Sequence, residues 1–185
     1  MKFSLSGGLA TMGSGIPYAL AAKFAFPERV AIAVVGDGAM QMSGVSALID
    51  VAKYWRRWHD PRLVILVLNN RDLNYVTWEQ RAMEGEPKFP ASQDLPDVPY
   101  ASYAALLGLG GIRVERPEDV ADAWRAAFAS DRPFVIDAVV DANVPTLPPK
   151  LELKLQEKLA AALDNGDPEA DGVRQQLVEQ GIEGK

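Results

Sequence analysis

A single carboxylate, Asp37, stands between Gly36 and Gly38 at the end of the apolar run VAIAVV, residues Val30–Val35. Two amides, Asn69 and Asn70, close a second apolar run, LVILVL, at Leu63–Leu68. Thirty residues lie between Gly38 and Asn69, room for a turn, a helix of about four turns and a return loop. A βαβ crossover brings the carboxyl ends of neighbouring parallel strands to one edge of a sheet, so Asp37 and Asn70 can meet. One charged and one neutral oxygen ligand suit a hard divalent cation, Mg²⁺ or Ca²⁺, and suit zinc poorly. Two protein ligands leave magnesium to complete its octahedron with water, a backbone carbonyl and substrate phosphates. Gly36 and Gly38 let the backbone approach such a phosphate, and a helix expected to start near Gln41–Ser43 would point N–H groups at it. The physical reading is a Mg²⁺–diphosphate site. Either motif alone is most often only a turn or a loop; the pair, each closing an apolar strand, carries the argument.

The elements that must position these groups are legible from pattern. Val30–Val35 and Leu63–Leu68 are apolar nearly throughout, as strands buried on both faces of a parallel sheet should be. Ile112–Val114 and Phe134–Val140 read as two further strands. From Val45 to Trp58, apolar residues at Val45, Leu48, Ile49, Ala52 and Trp55 mark one helix face. Helices are also expected at Gly15–Phe24, Tyr100–Leu107 and Asp119–Ala129. Alternation of strands and helices implies an α/β three-layer sandwich, with a mainly parallel sheet and helices on both faces. Residues 79–99 carry four prolines and no period, and read as a long loop. Beyond Asp141 come an extended spacer, a charged helix from Leu151 to Leu163 and a partly ordered acidic tail. The chain is therefore divided into a cofactor-binding domain, residues 1–145, and a C-terminal extension, residues 146–185.

Composition removes several functions. The 185 residues contain no cysteine, which excludes disulfides, thiolate nucleophiles and Cys-based zinc sites. A net charge of −6 argues against nucleic acid, despite the aromatic and basic run Tyr54–Trp58. That run ends a helix, where arginines complement the dipole, and the one histidine, His59, follows it with no catalytic role expected. Apolar runs of 5 to 8 residues fall far short of the roughly 20 needed to span a bilayer. A cytoplasmic location is expected. Gly13-Ser14-Gly15 is followed by Tyr18 where a dinucleotide motif needs glycine, and no P-loop occurs.

The paired motifs GDG and NN resemble the signature of thiamine diphosphate-dependent enzymes. SGGLATMGSGIPYALAAKFAFPER, upstream, resembles the preceding segment of the pyruvate oxidase and acetolactate synthase group. GIRVERPEDVADAWRAAF and DRPFVIDAVVDANVPTLPP resemble its closing elements, so the likeness runs from Ser6 to Leu155. NNRDLNYVTWEQR and VPTLPPKLEL look most like pyruvate oxidases and quinone-linked pyruvate dehydrogenases.

The resemblance implies that Asp37 and Asn70 are side-chain Mg²⁺ ligands and that the carbonyl of Asp72 is a third. It implies backbone contacts from Gly38, Ala39 and Met40 to the diphosphate. Met12 would be the wedge that bends the cofactor, and the Ala10 carbonyl would receive the pyrimidine amino group. Tyr75, Val76, Trp78 and Glu79 would line a substrate pocket. The family's pyrimidine-binding domain, with its activating glutamate, and the middle domain that binds FAD in some relatives do not fit within these residues. The chain thus resembles the C-terminal, diphosphate-binding domain alone, with no catalytic residue of its own. FAD stays open for a longer enzyme. The implied partners are a pyruvate-like 2-oxo acid, a pyrimidine domain of the same or another subunit, and further copies in a homo-oligomer. Two other readings are kept: a non-catalytic partner subunit, and an unrelated Mg²⁺ phosphohydrolase, which would need more carboxylates around Asp37.

Overall fold

The computed structural model describes residues 2–147 and 152–182. It divides into two compact units, residues 1–69 with 97–140 and residues 70–96 with 141–185. The first unit holds a four-stranded, all-parallel sheet: β1 (Ala31–Gly36), β2 (Leu63–Asn69), β3 (Gly110–Val114) and β4 (Phe134–Val139), in the order β1-β2-β4-β3. Its helices are α1 (Gly15–Ala25), α2 (Asp37–Ala39), α3 (Val45–Tyr54), α6 (Tyr100–Leu106) and α7 (Val120–Ala129). The second unit holds α4 (Asn74–Glu79), α5 (Pro90–Gln93), α8 (Leu153–Asp164) and α9 (Ala170–Glu179).

The α/β class, the parallel sheet and the cover on both faces agree with expectation. On one face Ile16, Leu48, Val51 and Tyr100, from α1, α3 and α6, pack on Ala33, Ile65 and Val135. On the other, Ala123 and Ala127 of α7 pack on Val64, Val114 and Ile136. β2 is buried on both faces, with Leu63, Val64, Ile65 and Val67 fully enclosed. β1 departs from the expectation. It is an edge strand, and although Ala33 and Val35 are buried, Ile32 is 49% and Val34 58% exposed. Two-sided burial follows from position in the sheet, and an all-apolar run does not reveal that position.

Register then sets the site. Gly36 pairs with Leu68, so Asp37 begins beside the end of β2. The helix after β1 does not wait until Gln41–Ser43: it starts at Asp37, directly after an extended Gly36 (φ −85°, ψ 166°). It passes through a π-helical turn, Met40–Gly44, and runs into α3 without leaving helical backbone angles.

One further expectation is corrected in the second unit. Much of residues 79–99 is helical: α4 is followed by a π-helical turn, Gln80–Glu84, which Gly85 ends at φ 77°, and then by α5. In the acidic tail, α9 runs from Ala170 to Glu179, after α8. Leu151, where the charged helix was expected to begin, lies outside the described residues, as do residues 148–150 of the spacer. Trp78, Leu159, Leu163 and Val173 form this unit's core. Burying such side chains contributes about 1.5–3 kcal/mol each, enough to order a segment whose local pattern is weak.

Candidate cofactor-binding site

Asp37 is 3% exposed, and its Oδ1 accepts the Gly38 N–H at 2.8 Å. Its backbone carbonyl accepts the Met40 N–H and, at 3.2 Å, the Tyr100 hydroxyl. Burial raises the Tyr100 pKa, so that hydroxyl stays a donor. α6 thereby fixes the first helical turn from outside it.

The turn that carries Ala10 and Met12 is tied to the same helix. Ala10 is left-handed (φ 45°), and its N–H donates to the Gly7 carbonyl. Gly13 has φ 93°, and its carbonyl accepts the Ser43 hydroxyl at 2.7 Å. A Cβ on Gly13 would stand 2.4 Å from Ser43 Oγ, so only glycine allows this approach. Met12 is 45% exposed rather than a core methionine. Ala10, Met12, Gly36, Asp37, Gly38, Ala39 and Met40 thus all belong to the first unit, and the Ser43–Gly13 bond ties the Met12 turn to the π-helical turn.

The two asparagines divide between the units. Asn69 ends β2, and its Nδ2 donates to Asp137 at 3.0 Å and to Asp97 at 3.3 Å. Arg113 pairs with both acids, which offsets the cost of a fully buried Asp137. Asn69 Oδ1, by contrast, is buried without a hydrogen-bond partner. Asn70 opens the second unit, one peptide bond further on, and its Oδ1 accepts the Asp72 N–H at 3.1 Å. Arg71 between them takes φ 60°. Tyr75 and Val76 on α4 are exposed, whereas Trp78 belongs to the core and donates its indole N–H to the Ala142 carbonyl. Trp78 is therefore a packing residue rather than part of a pocket.

Sequence reasoning missed Tyr100, Ser43 and a group of buried ions in the second unit. Arg81 makes a two-pronged pair with Asp167 (2.8 and 2.9 Å) and reaches Glu169 at 2.9 Å. Lys88 joins Asp72, Asp94 and Glu169 at 2.7–2.8 Å. Burial disfavours the charge of Lys88, but hydrogen bonds to these acids outweigh it and raise its pKa above that of an ordinary lysine. Burial likewise pushes Asp167 up, and the bonds from Arg81 and from the N–H groups of Lys88 and Glu169 hold it below the usual carboxylate range. The basic run at the end of α3 is occupied locally: Arg56 lies over Trp55 and Arg57 over Tyr54.

Carboxylate, amide and carbonyl oxygens form a donor set suited to magnesium. Asn69 Oδ1, a buried acceptor left unmatched at the carboxyl edge of the sheet, fits a ligand shell that brings donors of its own. A parallel α/β sheet with a glycine-flanked acid at the end of one strand and paired asparagines at the end of its neighbour defines a cofactor-binding domain. The sequence matches the family described as thiamine pyrophosphate enzyme, C-terminal TPP binding domain, over residues 1–138, and the chain belongs to that family.

Among relatives, a protein of Bacillus subtilis (strain 168), YdaP, described as thiamine pyrophosphate-containing, is 38% identical over 146 residues, covering 79% of this chain and 24% of its own length. The acetolactate synthase isozyme 3 large subunit of Escherichia coli (strain K12) is 31% identical, covering 77% and 24%. A solved structure, the thiamine diphosphate-dependent 4-hydroxybenzoylformate decarboxylase of Rhodococcus jostii RHA1, superposes with a TM-score of 0.59 at 29% identity, covering 70% of this chain and 23% of that one. The chain spans about a quarter of the length of these curated relatives. Among the described residues no helix is long and apolar enough to cross a membrane.

Proposed function

We propose that this chain is the magnesium- and diphosphate-binding half of the active site of a thiamine diphosphate-dependent enzyme that decarboxylates a pyruvate-like 2-oxo acid, of the oxidase or acetolactate synthase type. The observation that carries the reading is Asp37, a buried acid at the start of a helix, flanked by glycines and in register with a strand that runs into Asn70. Asp37, Asn70 and the Asp72 carbonyl would hold magnesium, and the backbone at Gly38, Ala39 and Met40 would lie against the diphosphate. Ala10 and Met12 would seat the pyrimidine and the bend of the cofactor, on a turn fixed by the Ser43–Gly13 bond. Tyr75, exposed on α4, would face the substrate. When bound, the cofactor supplies a thiazolium electron sink for loss of CO₂ from the 2-oxo acid. The chain's own part is to bind, orient and neutralise.

The remaining parts of the reading rest on the family. Residues 1–145 would serve as the cofactor domain and residues 146–185 as an extension. The pyrimidine side of the site would come from another domain of the same or a second subunit, within a homo-oligomer in the cytoplasm. FAD, where used, would sit outside these residues. The 185-residue chain alone is then expected to bind cofactor without turnover.

Calorimetric titration of thiamine diphosphate, with and without Mg²⁺, tests this. Binding that needs Mg²⁺ and is lost in Asp37→Ala is the expected result. Binding indifferent to Mg²⁺, or retained in the variant, refutes the metal assignment. Pyruvate consumption by the chain alone at an enzyme-like rate refutes the half-site.

A further inference from the structure

The turn Asn70–Leu73 belongs to no helix or strand, yet its backbone is fixed at several points, among them an antiparallel bridge between Asp72 and Asp94. Asn70 Oδ1 holds the Asp72 N–H, the Leu73 N–H donates to the Gln93 carbonyl, and the Leu95 N–H donates to the Arg71 carbonyl. The Asp72 side chain turns inward: Oδ1 accepts the Thr77 hydroxyl at 2.6 Å, and Oδ2 meets Lys88 Nζ at 2.7 Å. Carboxylate oxygens of Asp72, Asp94 and Glu169 lie within 4.8 Å of one another, a spacing a cation can bridge. The Lys88 ammonium meets all three. Glu169 also takes Arg81, so the C-terminal segment reaches this turn through its carboxylate.

We infer that Lys88, gripped by Glu169, is a positioning residue that holds the Asn70–Leu73 turn in the conformation presenting the Asp72 carbonyl to magnesium. The inference rests on the function proposed above. Its physical basis is that side chain, N–H and carbonyl leave one short stretch of backbone. The Leu73 N–H, held by the Gln93 carbonyl, shares one planar peptide with the Asp72 carbonyl and so sets its direction. The Asp72 N–H, its Oδ1 and the Lys88 ion pair at Oδ2 anchor the same residue. Strain at Arg71, at φ 60°, persists only where such contacts over-determine the backbone. The cluster sums four acids, Asp72, Asp94, Asp167 and Glu169, against Lys88 and Arg81. Its net charge of about −2 also favours a divalent cation nearby over an anion.

The experiment compares the full chain with Lys88→Met, Lys88→Arg, Glu169→Gln and Thr77→Val. Hydrogen exchange is read at the Asp72, Leu73 and Leu95 amides, with the Val173 amide of α9 as the control in the same unit. Calorimetry gives the Mg²⁺ concentration for half-maximal thiamine diphosphate binding and, separately, the affinity at saturating Mg²⁺. In Lys88→Met the three turn amides should exchange at least about 10-fold faster while Val173 stays within about 2-fold. The Mg²⁺ midpoint should rise about 10–100-fold, the affinity at saturating Mg²⁺ should change by less than about 3-fold, and Lys88→Arg should recover most of the loss. Unchanged exchange or an unchanged midpoint in the folded variant overturns the inference. So does equal acceleration at Val173, which would mark a general structural role. If Lys88→Met does not fold, Thr77→Val, which removes the hydrogen bond to Asp72, and Glu169→Gln, which removes the charge that pairs with Lys88 and Arg81, decide by the same criteria. Wild-type chain that binds no thiamine diphosphate at any Mg²⁺ concentration overturns the underlying reading instead.

Discussion

Replacing Arg81 by Met removes a guanidinium whose side chain, like that of Asp167, is 0% exposed. Methionine keeps much of the length and the apolar contact with Trp78, over whose ring the guanidinium lies at 5.3 Å. The carboxylate of Asp167 keeps only the N–H groups of Lys88 and Glu169. Removing one partner of a buried pair costs about 3–5 kcal/mol, because the other charge stays buried and uncompensated. With a urea m-value of about 2 kcal/mol/M, the unfolding midpoint should fall by roughly 1.5–2.5 M. Asp167→Asn should cost a similar amount at neutral pH, since it strands Arg81 with Glu169 alone. The double variant should cost less than the sum of the two by at least about 2 kcal/mol. The pH dependence has a definite sign. The folded pKa of Asp167 lies below its ordinary value, so its contribution is complete above about pH 4 and is lost as pH falls through the folded value. The penalty of Arg81→Met should shrink over that same acid range. Urea titration by circular dichroism at neutral and acid pH reads both. Single-variant costs that add within about 0.5 kcal/mol, or a penalty that does not change with acid, would refute the account of a coupled buried pair.

Other expectations are smaller in scope. Gly13→Ala should destabilise the chain by about 1–3 kcal/mol from the left-handed backbone and the clash with Ser43, and Ser43→Ala on that background should return only part of it, as thermal melts would show. The Arg62 guanidinium hydrogen-bonded to Asp60 holds that carboxyl at about 2, so Arg62→Ala should bring it towards the usual value in an NMR titration. The stability carried by that pair is present above about pH 4 and lost towards pH 2, and its partial exposure keeps it below about 1 kcal/mol.

What the sequence disclosed and what it hid follow from the range of the forces. The ends of β2 and part of the face of α3 were legible because apolar periodicity is local, as were the glycine-flanked acid and the paired asparagines. Ile49, expected on that face, is instead 52% exposed, and Val51, not expected there, is buried. The family followed from those motifs. The exposure of β1 was hidden, since Ile32 and Val34 look the same in an edge strand as in a central one. Residues 79–99 read as a loop because what orders much of them is not periodic. Arg81 meets Asp167 across 86 residues, and no spacing rule joins a charge in RAMEGEPKF to one in DNGDPEAD. Both π-helical turns were equally silent, being departures from the helical period.

The first of those turns, Met40–Gly44, has a consequence for chain length. A π turn takes up one residue more than a regular helix needs over the same rise. Here the surplus lies between the start of the helix at Asp37 and the face of α3. A homologue one residue shorter at this place would heal the turn into plain α-helix and still set Leu48 and Val51 on the sheet. What it would lose is the seat of Ser43, and with it the latch on Gly13. One residue fewer within α3 itself would swing the faces beyond it by about 100°. Length variation should therefore be absorbed beside the motif rather than further along the helix.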